Sequence, residues 1–229
     1  MNLSEVQYQP WSTVIVNFYI CQSCSRVDTD SSRQRVGTPC KLCGAPSPIG
    51  QHHFGRNAYV LVNSIQDFYF LRHAKPPPDS DGLSAHIYSN ETDTRIVIPL
   101  LFCTLWDGLT TEPCQNVMRA KFLDQQLQDR LLLDYRYSRE KREKLLPALT
   151  GQKWTDTLNE LTKRAELDYT NHFNFFLTIN SKRNTFIHEG SHWEFTDDEL
   201  EKIPEELRTT FHLFAELHNQ YVPNVASPL

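Results

Sequence analysis

Two pairs of cysteines constrain this chain more than any other feature. Cys21 and Cys24, then Cys40 and Cys43, form two Cys-x2-Cys pairs with fifteen residues between them. A Cys-x2-Cys turn puts both sulfurs on one side, and two such turns complete a tetrahedral thiolate shell. The reading is a structural zinc ion held by all four cysteines, with no open position for water and so no hydrolytic role. A disulfide pair and cysteines placed by chance are the rival readings. Gly44 follows the second pair, where the turn favours backbone freedom, and Ser25 stands at that place in the first. The spacer, residues 25–39, is polar and rich in turn formers. It can make a short hairpin but no core. Cys103 and Cys114 lie in helical text and read as buried free thiols.

With the apolar, β-branched stretch "STVIVNFYI" running into Cys21, residues 13–50 resemble a zinc ribbon. Such a module is either a folding staple and docking platform or a nucleic-acid contact working through its arginines. The charge leaves both open. Residues 13–50 carry Arg26, Arg33, Arg35 and Lys41 against Asp28 and Asp30, a local balance of +2 in a chain of formal charge -5. No global basic field advertises nucleic-acid binding. The N-terminus lacks the pattern of a secretory signal. The longest apolar run, "IVIPLLFC", is far short of the ~20 residues that span a bilayer. The expectation is a soluble, cytoplasmic protein with no membrane partner.

Beyond a tail at 1–12 and the ribbon at 13–50, residues 51–229 read as one all-α domain of about six helices. Residues 57–74 have helical apolar spacing, with strand as the rival. Pro76, Pro77 and Pro78 open a loop that runs to residue 93. Thr94 is the expected cap of a central, all-round apolar helix at 95–109, with Pro99 near its first turn. A long helix is expected within 113–149, broken near Tyr137. Its block of Arg139, Lys141, Arg142 and Lys144 is expected to be a solvated face. Further helices are expected over 154–167 and 168–188, the latter capped by Gly190. Thr196 and Glu199 have capping-box spacing, and a last helix is expected over 205–221.

The helix over 168–188 carries the chemistry. Phe173, Phe176 and Leu177 read as an apolar stripe whose continuation turns polar: Asn180, Asn184 and His188, with Ser181 beside them. Asn184 and His188 are neighbours at (i, i+4), so the amide can set the tautomer of the imidazole. Arg183 lies about 140° from His188 around the axis, at about 100° per residue. One helix cannot easily aim both at one atom, whereas a two-fold copy can. A plainer reading stands beside this one: a helix-end arginine and histidine interact with the helix dipole.

The stretch Arg183-Asn-Thr-Phe-Ile-His188 is an R-x4-H motif in R-N-x-x-x-H form, near the end of a helix in an all-α domain. In this setting residues 55–222 resemble a HEPN domain. The resemblance implies a metal-independent endoribonuclease acting as a homodimer, with two motifs forming one composite site. It implies Arg183 and His188 as catalytic residues, supported by Asn184. Lys182, Ser181 and Asn180 are the candidate RNA contacts. It also implies a role as a toxin or in anti-phage defence, with an antitoxin or another protein as partner, and no catalytic metal. Two family features are missing. Thr178 stands where some members have glutamate, and Gly190 stands where nucleotidyltransferase-paired toxins have tyrosine. A non-catalytic HEPN-like or zinc-ribbon adaptor is the alternative.

Overall fold

The computed structural model describes residues 19–21, 23–29, 39–40, 43–46, 49–51, 54, 56–73, 91–165, 167–189 and 195–222. Three short strands, β1 (Tyr19–Cys21), β2 (Val27–Asp28) and β3 (Ile49–Gln51), form an antiparallel sheet in the order β2-β1-β3. The sheet extends one residue past the boundary expected at 50. The tail at 1–12, residues 12–18 of the expected strand, and residues 75–90 of the expected loop lie outside the described residues.

The remaining elements are helical. They are α1 (Arg56–His73), α2 (Glu91–Leu109), α3 (Thr111–Ala120) and α4 (Gln125–Asp134). Next comes a helix of mixed pitch: α5 (Ser138–Glu140), a π-helical turn (Lys141–Leu145) and α6 (Leu146–Thr150). Then come α7 (Trp154–Arg164), α8 (Tyr169–Glu189) and α9 (Asp197–Tyr221). The chain is mainly α with a small β module holding the cysteines. Residues 57–73 are helix rather than strand, since the buried Ala58, Val62 and Ile65 recur at helical spacing. α2 is central as expected. Thr94, Ile98, Phe102, Leu105, Trp106 and Leu109 are all buried, and α1, α3, α8 and α9 pack around it. Trp106 stacks face to face on Phe176 of α8 at 4.3 Å between ring centres, and meets Phe214 of α9 edge-on.

Several expectations fail for identifiable reasons. Thr94 caps nothing. The helix begins at Glu91, so Thr94 is buried inside it and Pro99 is its ninth residue. The text of 113–149 is several helices, not one. Phe122 adopts a left-handed φ of 57° after α3, and the Asp124 carboxylate then caps α4 by accepting from the Leu127 N–H at 2.9 Å. The chain also turns near Tyr137, as expected. The basic block is not one solvated face. Its members do not share one face of the mixed-pitch helix. Arg139 and Lys144 are exposed, but Lys141 and Arg142 are buried. The last helix starts at Asp197, not near Glu205. The capping box forms on Thr196, and Pro204 is carried inside the helix.

A buried histidine and a partly buried glutamate join α8 to α9. His172 bonds Glu206 through Nδ1 and Thr210 Oγ1 through Nε2. Burial works to raise the Glu206 pKa, but the His172 and Lys202 interactions outweigh it and hold the carboxyl below its usual range. A depressed folded pKa gives stability that is present above the unfolded value and lost as pH falls through the folded one. Glu206→Gln is expected to cost about 2 kcal/mol near neutral pH, since it removes the carboxylate that bonds a buried imidazole. It should also flatten the acid limb of stability against pH, measured by denaturant unfolding. Equal losses at pH 7 and pH 3 would contradict this pairing.

Candidate functional site

The four cysteines converge. Sγ of Cys21 lies 3.8 Å from that of Cys43, and Sγ of Cys24 lies 3.9 Å from that of Cys40. All four sulfurs sit within 4.8 Å of one another. Disulfide sulfurs stand ~2.05 Å apart, so these are not bonded pairs. Thiolates held at ~2.3 Å by a tetrahedral ion sit ~3.8 Å apart, which matches the closest contacts. The backbone explains the convergence. In the first turn Ser25 N–H donates to Cys21 O and Cys21 N–H to Arg26 O. In the second, Gly44 N–H donates to Cys40 O and Cys40 N–H to Ala45 O. Both turns close on a left-handed residue, Ser25 at φ 55° and Gly44 at φ 72°. The expected departure at Ser25 is thus tolerated without a change of geometry.

The cluster can hold a metal ion. Burial opposes ionisation of Cys21, yet backbone N–H groups of Cys24 and Ser23 and the neighbouring thiols bring its pKa down to about 7. Cys24 goes up to about 12, because burial and the other thiols outweigh the backbone bond to Arg26. Four thiolates together need a cation between them. Cys103 and Cys114 are buried free thiols, each pushed up to about 12 by burial.

The cysteine module docks on the end of α9 through side chains that the sequence did not single out. Asn219 acts as a strand edge for β2. Its Oδ1 accepts from the Val27 N–H at 2.6 Å and its Nδ2 donates to Val27 O at 2.7 Å. Thr29 Oγ1 donates to Glu216. His218 donates from Nε2 to Ser25 O at 3.0 Å, while Nδ1 stands 3.1 Å from both Glu112 and Asn116. His218 therefore connects the first cysteine turn to α3. His–Asn–Gln before a proline is an ordinary helix end in sequence, and only the docked β2 gives it this task.

On α8 the two members of the R-x4-H motif part company. The buried stripe is Tyr169, His172, Phe176 and Ile179, and its next step at helical spacing is Arg183. Leu177, expected in the core, is 40% exposed. It begins an outer stripe that continues through Ser181 and Asn184 to His188. The correction is therefore that Arg183, not His188, extends the core stripe. Arg183 Nη1 donates to Asn184 Oδ1 at 3.0 Å and Asn180 Oδ1 at 3.3 Å, and Nη2 faces Asp107 at 3.9 Å. Its Nε is buried with no acceptor. Asn184 thus serves Arg183, and no hydrogen bond joins it to His188. Lys182 grips Glu199 at 2.7 and 2.8 Å, the same glutamate that closes the capping box of α9. Ser181 is exposed. His188 is exposed and has no partner among the described residues. Gly190 lies outside them.

Compared with family models, with curated proteins and with solved structures, the chain shows no match in any of the three. The site therefore stands on its own chemistry. Elemental analysis of the purified protein should find one metal ion per chain, and Cys40→Ser should lose it. A metal-free wild type with a Cys21–Cys24 disulfide would instead mark the cluster as a redox pair.

Proposed function

We propose that this chain is a metal-independent endoribonuclease of HEPN type, built as a homodimer, with zinc as the ion in its cysteine module. The observation that carries the reading is the state of the two motif residues. On one helix His188 is exposed and has no partner among the described residues, and Arg183 retains a buried N–H without an acceptor among them. A buried N–H left without an acceptor calls for an explanation, and an exposed imidazole is free to meet a substrate. Leu177 and Ile187, at 40% and 49% exposure, leave apolar surface on α8, as a helix that meets its own copy would. Zinc follows from a closed four-thiolate donor set, which makes the ion a staple rather than a reagent.

RNA carries its own nucleophile. A base removes the 2′-hydroxyl proton, the oxygen attacks phosphorus, and the P–O5′ bond breaks as an acid protonates the leaving oxygen. Histidine titrates near neutrality and serves as base or acid. Arginine keeps its charge and offers paired donors to the phosphate oxygens. In this reading His188 of one protomer and its partner's copy take the two proton-transfer roles, and Arg183 stabilises the charge on the phosphorane. Products are a 2′,3′-cyclic phosphate and a 5′-hydroxyl. A toxin or anti-phage role, with an antitoxin or other protein partner, comes with the family resemblance alone.

A second reading, a binding module without catalysis, is favoured by one contact: Asn184 is engaged by Arg183 and so does not orient His188. Cleavage separates the two. Wild type should cut RNA in EDTA added at the start of the assay, leaving cyclic phosphate ends. Arg183→Ala and His188→Ala should each lower the rate by about 100-fold or more. Cleavage surviving both changes, or products with 3′-hydroxyl and 5′-phosphate ends, would overturn the reading.

A further inference from the structure

The basic block on the π-helical turn leads back to Arg183. Arg142 is only 3% exposed, and its guanidinium lies over the rings of Phe173 and Phe176 at 5.4 and 5.3 Å. Both rings belong to α8, the helix that carries Arg183. Burial lowers the Arg142 pKa, opposed by the charges of Asp107 and Glu143 and aided by Arg139. Glu143 is already taken, accepting from Arg139 Nε at 2.9 and 3.0 Å. Asp107, on α2, is the carboxylate between Ser138 and Arg183. It attracts Arg142, accepts from the Ser138 hydroxyl and faces Arg183 at 3.9 Å. Lys141 feels it too. Of these cations only Arg183 reaches ion-pair distance of the carboxylate, Lys141 donates to Thr111 Oγ1 instead, and Arg142 Nη1 and Arg183 Nε remain buried without an acceptor.

We propose that Ser138 holds Asp107, that Asp107 holds Arg183 so that its donors face an RNA phosphodiester, and that Arg142 steadies α8 beneath them through Phe173 and Phe176. This inference rests on reading α8 as an RNA site. Arg142 is a positioning residue. It is too buried to touch the substrate, and it acts through the Phe173 and Phe176 rings of α8, the helix that carries Arg183. The wide π turn helps by turning the consecutive Lys141 and Arg142 both inward, and such turns recur at functional sites. The charge that the cluster lacks is supplied by the phosphate.

The test is binding of a 2′-O-methyl RNA oligonucleotide, which cannot be cut by 2′-hydroxyl attack, to the full chain at fixed salt. Asp107→Asn removes a negative charge beside a polyanion, so the field alone would tighten binding. Positioning requires the opposite sign, a loss of about tenfold. Arg142→Lys keeps the charge but not the planar fork, and should also weaken binding. Ser138→Ala should weaken it in the same direction and replaces Asp107→Asn if that variant does not fold. Unchanged or tighter binding in a folded Asp107→Asn or Ser138→Ala variant overturns the proposal, as does a wild type that does not bind. Binding with these losses but no cleavage of natural RNA would sustain the positioning and reject the nuclease. Cleavage indifferent to Asp107 would do the reverse.

Discussion

The stack of Trp106 on Phe176 is the contact on which the placement of the motif depends. It locks α2 to α8 in one register, and that register brings Asp107, next to Trp106 in sequence, towards Arg183, two turns beyond Phe176. The same ring of Phe176 carries the Arg142 guanidinium on another side. One aromatic side chain thus contacts both the central helix and the π-helical turn. A change at this position acts on the charged cluster through geometry, even though the ring holds no charge itself. Truncating a buried ring of this kind costs about 3–5 kcal/mol.

The cysteine module follows a different principle. Its strands are two or three residues long, and they cannot stabilise a fold unaided. Two sources of order substitute for a core. The thiolate shell fixes the two turns to each other, and α9 supplies an edge through Asn219 and a carbonyl clamp through His218. The module is in this way continuous with the helical domain. A loss of metal would be felt at the end of the longest helix.

Features with local physical causes were legible in the sequence. The cysteine spacing, the capping box at Thr196, the burial of Cys103 and Cys114 and the helical period of residues 57–74 each follow from a few neighbouring residues. Features decided by tertiary packing were not. Thr94 has the residue type of a cap, but α2 begins earlier and buries it against its neighbours. Lys141 and Arg142 read as solvated because charge is usually exposed. They are inward because the mixed-pitch helix is packed on one side, where aromatic rings on α8 accept Arg142 and the Thr111 hydroxyl accepts from Lys141. Leu177 has the helical spacing of a stripe with Phe173 and Phe176, but it faces outward, and His188 lies on its side of the helix. Asp107 was hidden because its role depends on α8 and the π turn arriving beside it. Of the candidate site, the residue types of the motif were visible, but which face each one occupies was not.

Arg183 ends the buried stripe of α8 and His188 ends the outer one, so a single helix does not unite them. The central claim is that two copies do. It is tested most directly by mixing Arg183→Ala and His188→Ala proteins, each inactive alone, under conditions that exchange protomers, and then measuring RNA cleavage. Recovery of a substantial fraction of wild-type activity, with cyclic phosphate ends, is the expected result. A mixture that exchanges protomers and stays as inactive as its components would contradict a site shared between two chains.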